Sequence, residues 1–181
     1  EGQHSGPSGF KLNPGYWRST RAETPAGGMS PRGIHTLDSM INIGGLVSEV
    51  YAHSDRRKLQ APIDMDDTTS MLFRMKNGAS GYLGTMMATA PAFSFQVFGS
   101  KGYVRLAGMT HGAGASSDAR RTRLFGACRY QPVKGDPEVW EADQLDITRA
   151  CLEGFARAAA GGPTFPISLD EMIHGAAVTE A

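Results

Sequence analysis

Four runs of alternating apolar and polar residues between positions 68 and 107, separated only by short turn-forming sequences, commit the middle of this chain to an antiparallel meander. TTSMLFRM and SGYLGTMM flank Lys76-Asn77-Gly78-Ala79, where Asn-Gly favours the positive backbone angles of a type I′ hairpin turn. FSFQVFG and YVRLA follow, joined through Ser100-Lys101-Gly102. Alternation also sorts the side chains. Met71, Phe73 and Met75 share one face with Leu72 opposite, and Phe93, Phe95 and Val97 share a face with Phe98 opposite. Both faces of the sheet are therefore partly apolar. If helices cover one face, the other needs a partner chain, because large exposed apolar patches are rare on monomers; the alternative is that loops cover it.

Signals on either side of the meander supply helices. Residues 6–28, rich in Gly, Pro and Ser, read as an irregular segment pinned by Tyr16 and Trp17. Ser30 followed by Pro31 matches an N-cap and first-turn proline, and Gly44-Gly45 supplies a stop, bracketing a helix of roughly three to four turns. LVSEVYAH, from Leu46, has strand composition, and SDRRKLQAPIDMD is a polar loop. Residues 108–121 read as a small-residue loop before the strand-like TRLFGACRY and EVWE. A helix from about Asp143 carries Leu145, Leu152 and Phe155 on a helical period and ends at Gly161-Gly162. A second opens on Ser168-Leu169-Asp170-Glu171, a capping box. Strands in a run with helices at the ends predict α+β architecture, an antiparallel sheet with helices packed on one face.

With 181 residues the chain fits a single domain, 1–181, that needs no disulfide or metal staple. Lys plus Arg and Asp plus Glu balance at 18 each, so there is no basic field to attract nucleic acid or an anionic membrane surface. Cys128 and Cys151 have no zinc-ligand spacing and fit a reducing cytoplasm, so no metal is expected. No run of 18 apolar residues exists, and EGQHSGPSGF lacks the charge and apolar core of a signal peptide. A cytoplasmic chain without a membrane span is expected. It opens on EGQHS and stops at GAAVTEA within a helical pattern, which reads as a fragment of a longer protein.

The first helix has a mixed polar face. At 100° per residue Ile34, Leu37, Met40 and Ile41 fall within one third of the circumference, and Arg32, His35, Asp38, Ser39 and Asn42 fall on another. His35 stands in the middle of that second group, where an imidazole suits proton transfer and Arg32, Ser39 and Asn42 suit the positioning of hydroxyl groups. Asp38, three residues on, is placed to orient or charge-pair with the imidazole. From periodicity alone, a solvated polar face on an ordinary amphipathic helix is the commoner reading.

Four blocks taken in order carry a resemblance. GYWRSTRAETPAGGMSPRGIHTLDSMINIGGLVSEVYAH, DDTTSMLFRMKNGASGYLGT, FQVFGSKGYVRL and FARAAAGGPTFPISLDEMIHGAAVTEA are similar to the C-terminal domain of the glucose-fructose oxidoreductase, inositol dehydrogenase and rhizopine-catabolism family (Gfo/Idh/MocA). The resemblance implies an open, mostly antiparallel sheet used for substrate contact and subunit assembly, preceded in the whole protein by a dinucleotide-binding Rossmann domain. It implies NAD or NADP as cofactor, bound mainly by that missing domain and not by this chain. It also implies a homodimer or homotetramer through the open sheet face. The family's helix reads Asp-x-Gly-x-His-x-x-Asp, matched here at Gly33, His35 and Asp38, with the histidine serving the substrate's reacting hydroxyl or carbonyl. At the first Asp this chain has Pro31, which neither accepts a proton nor hydrogen-bonds through its side chain.

No strand followed by G-x-G-x-x-G and a helix occurs, nor does the family's Glu-Lys-Pro lysine motif; Gly112-Ala113-Gly114 starts such a glycine pattern without its context. His4, His53, His111 and His174 have no companion cluster and read as surface or core residues. Trp17 and Arg18 precede the His35 helix and are placed to reach over the same pocket, with Arg18 or Arg21 contacting a polar or anionic substrate; a structural role for the segment is the alternative. The expectation is thus the substrate-binding and oligomerisation domain of an NAD(P)-dependent oxidoreductase, acting on a CH–OH or carbonyl group of a sugar, polyol or related metabolite. His35 is its catalytic residue, and Trp17, Arg18, Arg32, Asp38 and Asn42 contact the small-molecule substrate. By itself the chain is expected to be inactive. Two alternatives are a non-catalytic binding or assembly module, favoured by Pro31, and a lyase or hydrolase on the same scaffold.

Overall fold

The alternating runs become strands whose inward residues meet one helix. A computed structural model of the chain describes residues 1–6, 15–108, 127–141 and 147–181. Its strands are β1 (Gly2–Ser5), β2 (Val47–Asp55), β3 (Thr68–Met75), β4 (Ser80–Met86), β5 (Ala92–Gly99), β6 (Gly102–Gly108), β7 (Ala127–Pro132) and β8 (Glu138–Glu141). Its helices are α1 (Gly33–Gly44), α2 (Ile147–Ala159) and α3 (Leu169–Glu180), with short 3₁₀ turns at Trp17–Ser19 and Gly27–Met29. Among the described residues the strands form one open sheet in the order β2-β3-β4-β1-β5-β6-β7-β8. The architecture is α+β, as expected.

β1 joins the two hairpins, and nothing in GQHS announced it. It lies parallel to β4, with Gly2 opposite Leu83, and antiparallel to β5, with Gly2 opposite Phe95. Every other pairing in the sheet is antiparallel. Gly2 is required by close approach, since a Cβ there would stand 2.5 Å from the Thr36 methyl of α1. His4, expected in an irregular terminus, is part of this central strand and meets Phe93 edge-on at 5.5 Å.

Two local expectations are corrected. The turn after β3 is not type I′, which needs positive φ at both central residues. Only Gly78 has positive φ, at 89°. Asn77 instead spends its side chain on the backbone, accepting from Ala79 N–H at 3.0 Å and donating to the Gly44 carbonyl at 2.9 Å. The helix, in turn, starts at Gly33 and not at Pro31, with Arg32 as an N-cap that makes no side-chain cap bond. Ser30 is consumed by the preceding 3₁₀ turn, its N–H bonding the Gly27 carbonyl at 3.3 Å. The expected stop holds: Gly45 has φ 86° and donates to the Ile41 carbonyl at 2.8 Å.

Leu37, Met40 and Ile41 of α1 are buried against Met71, Phe73 and Met75 of β3 and Leu83 of β4, with Val178 of α3 closing the cluster. Each such side chain contributes about 1.5–3 kcal/mol by leaving water. α3 opens on the expected capping box, Glu171 N–H donating to Ser168 Oγ at 3.2 Å while Glu171 accepts from Ser168 N–H at 2.8 Å. It is further tied to β2, where Val47 N–H donates to His174 Nε2 at 2.9 Å. On α2, by contrast, Leu152 and Phe155 are exposed, and Phe155 meets Phe165 edge-on at 6.2 Å. The sheet face away from α1 carries exposed Tyr51, Leu72, Tyr82, Met86, Phe98 and Val139. No helix among the described residues is long and apolar enough to cross a membrane. The small-residue loop at 108–121 and the start of TRLFGACRY lie almost wholly outside the described residues, as does the expected beginning of α2 near Asp143.

Candidate functional site

Two adjacent acids pin the segments around the start of β3. Asp66 is almost wholly buried; its Oδ1 accepts from Arg21 at 2.7 Å and its carbonyl accepts from Gly28 N–H at 3.2 Å. Gly27, at φ 54°, leaves no room for a methyl against that same carbonyl. Asp67 has no exposed surface and accepts backbone N–H groups from Arg57, Lys58 and Leu59 at 3.0, 2.7 and 2.8 Å, plus the Thr68 hydroxyl at 2.9 Å. Burial pushes its carboxyl up, but the four donors together hold it below the ordinary value. Asp66 thereby clamps the segment before α1, and Asp67 the turn at 57–59, to the start of β3. These anchors lie where the sequence reads as a polar loop; the one available signal was a pair of acids placed directly before an apolar strand.

From that fixed start the polar side of α1 faces the entry to α3. His35, Asp38, Ser39 and Asn42 line a cavity of about 450 Å³, closed on its far side by Ile167 and by Glu171 of α3. His35 and Asn42 are exposed, Asp38 is half-buried, and Ser39 Oγ donates to the His35 carbonyl at 3.1 Å. Burial raises the Asp38 carboxyl above its ordinary value, and the charge of His35 pulls it partly back. Glu171 is held low by the backbone and hydroxyl donors of Ser168. The cavity therefore combines an accessible imidazole, two carboxyl groups in opposed environments, a hydroxyl and an amide against an apolar wall. Such a set has the chemistry to hydrogen-bond a polar metabolite and to exchange a proton.

The remaining sequence candidates stand elsewhere. Trp17 is half-exposed on its 3₁₀ turn with the Arg18 guanidinium stacked 4.6 Å above its ring. The Arg18 carbonyl accepts from Thr24 Oγ1 at 3.3 Å. Arg32 is half-buried at the helix entrance, and that burial lowers its pKa. None of the three lines the His35 cavity, whereas Asp38 and Asn42 do. Ile167 and Glu171 are additions that the sequence showed only as a helix cap.

Gly27 and Gly28 precede α1, but their N–H groups, which a phosphate would need, already donate to the Thr24 and Asp66 carbonyls at 2.9 and 3.2 Å. The glycines at 112 and 114 lie outside the described residues. Among the described residues no cluster of three or more His, Cys, Asp or Glu is arranged to hold a metal.

A family model for the GFO/IDH/MocA C-terminal domain matches residues 1–105, which include β1, the clamped segment and all of α1. The chain belongs to the GFO/IDH/MocA family. Its fold recurs in a protein from Desulfitobacterium hafniense dcb-2, with a TM-score of 0.80 at 21% identity over 99% of this chain and 51% of that one. It recurs in an aldose-aldose oxidoreductase from Caulobacter crescentus, solved with glycerol, at TM-score 0.71 and 19% identity over 99% and 50%. A 3-ketoreductase from Actinomadura kijaniata, solved with NADP and TDP-benzene, gives TM-score 0.74 and 14% identity over 99% and 51%. The chain thus spans about half the length of these structures. A search of curated proteins returns no match.

Proposed function

We propose that this chain is the substrate-binding and oligomerisation domain of an NAD(P)-dependent oxidoreductase acting on a CH–OH or carbonyl group of a sugar, polyol or related metabolite. The observation that carries the reading is the convergence of His35, Asp38, Ser39 and Asn42 on one cavity within the family-matched segment. His35 gives or takes the proton of the reacting oxygen, Asn42 and Ser39 hold neighbouring hydroxyls, and Ile167 excludes water from one side. Trp17, Arg18 and Arg32, which do not line the cavity, are assigned to parts of a substrate that extend beyond it. Hydride transfer is the chemistry NAD(P) supplies, and the residues that hold it belong to a Rossmann domain carried by the rest of the protein. The open sheet face, with Tyr51, Leu72 and Tyr82 side by side on three strands, is the surface for a second copy of the chain. A cytoplasmic location completes the reading.

One observation favours a second reading, a binding or assembly module that has lost catalysis: Pro31 stands where the family pattern has an acid. Hydride transfer by the full-length protein with NAD and NADP across polyols and aldoses, wild type beside His35→Ala, decides between them. The oxidoreductase reading expects a loss of about a hundredfold or more in kcat with the fold intact. No turnover by wild type, or equal turnover by His35→Ala, rejects the role of His35 and favours the module.

A further inference from the structure

α3 crosses α1 at Gly175, which is buried. Its φ is not positive, so the backbone there does not call for glycine, and a glycine inside a helix is unfavourable relative to alanine. What it provides is space. A Cβ at 175 would lie 2.9 Å from Asp38 Oδ1, closer than such atoms approach, and 3.8 Å from the Cδ1 atoms of Ile34 and Ile41. The Asp38 carboxylate occupies the volume a side chain would fill, on bare helix backbone and flanked by two isoleucines. The Gly175 carbonyl is already engaged by Thr179 Oγ1 at 2.8 Å.

We infer that Gly175 is a positioning residue of this site: the absent side chain seats the Asp38 carboxylate on α3, at the wall of the cavity that Asp38 shares with His35. Burial in that seat accounts for the raised carboxyl of Asp38, and His35 is the charge that opposes it. The other titratable group lining the cavity is Glu171 of α3, which is committed to the Ser168 cap; His174 of α3 is committed to Val47 N–H. The inference rests on the proposed role of this cavity, yet its test does not depend on turnover.

The test is a carboxyl NMR titration of aspartate-labelled full-length protein, with the Asp38 resonance assigned by its loss in Asp38→Asn. Gly175→Ala is expected to lower the Asp38 midpoint by about half a pH unit or more, because the methyl displaces the carboxylate from its buried seat. Val178→Ala, which loosens the same helix contact at a buried position away from Asp38, is expected not to move it. No shift or a rise in Gly175→Ala, or an equal fall in Val178→Ala, overturns the inference. Should Gly175→Ala fail to fold, adding Asp38→Ser, which withdraws the carboxylate from the methyl's path, is expected to restore folded protein; failure to do so also overturns it. An active His35→Ala enzyme with the expected titration pattern would reject proton transfer by His35 while leaving the seat of Asp38 intact.

Discussion

Asp67→Asn tests whether the clamp before β3 is a charged one. The carboxylate has no exposed surface and only donors around it: three backbone N–H groups and one hydroxyl. An amide of the same shape must turn its NH₂ toward at least one of those N–H groups, because both carboxylate oxygens face a backbone donor. One hydrogen bond is then replaced by a donor facing a donor, and the bonds that remain lose their charge assistance. Charge-assisted bonds contribute about 1.5–3 kcal/mol each and a buried unsatisfied donor costs about 1–3, so the expected loss is about 3 kcal/mol. In a domain of this size that lowers Tm by about 6–12 °C. The pH dependence has a definite sign. Asp67 is held below the ordinary carboxylate value in the folded state, so its stabilisation is complete above about pH 4 and is lost as pH falls through the folded value. Differential scanning calorimetry of wild type and Asp67→Asn at pH 7 and pH 3 should show the gap in Tm shrinking at the lower pH. A gap under about 1 °C at pH 7, or one equally large at both, would refute the charged clamp.

Gly27→Ala places a methyl against the Asp66 carbonyl at φ 54° and is expected to cost about 2–3 kcal/mol, read as a fall in Tm. Leu37→Ala empties a position with no exposed surface beneath α1 and should cost about 3 kcal/mol or more in denaturant unfolding, with an unchanged slope. Leu72→Glu lies on the open sheet face, where Leu72 is 54% exposed, so it should change stability by less than about 0.5 kcal/mol. Sedimentation equilibrium should show the same substitution lowering the assembly mass, and an unaltered mass would count against that face as the contact between copies.

How much of this was legible in the sequence depends on whether the signal was periodic or tertiary. Met71, Phe73 and Met75 announced their face because a strand has a period of two, and Leu37, Met40 and Ile41 announced theirs because a helix has a period of 3.6. Both survive intact in the fold. β1 did not announce itself: four residues of Gly, Gln, His and Ser carry no alternation, and they become a strand only because β4 and β5 offer unpaired edges on either side. The start of α1 was misread for a similar reason. Ser30 and Pro31 are good local helix openers, yet Gly27–Met29 is pulled into a 3₁₀ turn by its contact with Asp66, a residue more than thirty positions away.

The site divides along the same line. His35, Asp38, Ser39 and Asn42 lie on one helix, so 100° steps place them together before any tertiary structure exists. What turns that polar stripe into a cavity is α3, whose approach brings Ile167 and Glu171 opposite the histidine and Gly175 against Asp38. Helix periodicity contains no information about the second helix. The Ser168 capping box was visible as a helix start, but the same Glu171 that completes the cap also lines the cavity, and that second duty exists only once α1 and α3 pack. An ordinary amphipathic helix and a catalytic one therefore share one sequence pattern; they differ in whether the polar face meets water or a second wall. Here half-buried Asp38 meets α3 at Gly175 while His35, Ser39 and Asn42 stay open to solvent across from Ile167 and Glu171, so the shape of the cavity depends on Gly175 and Ile167 as directly as on α1 itself.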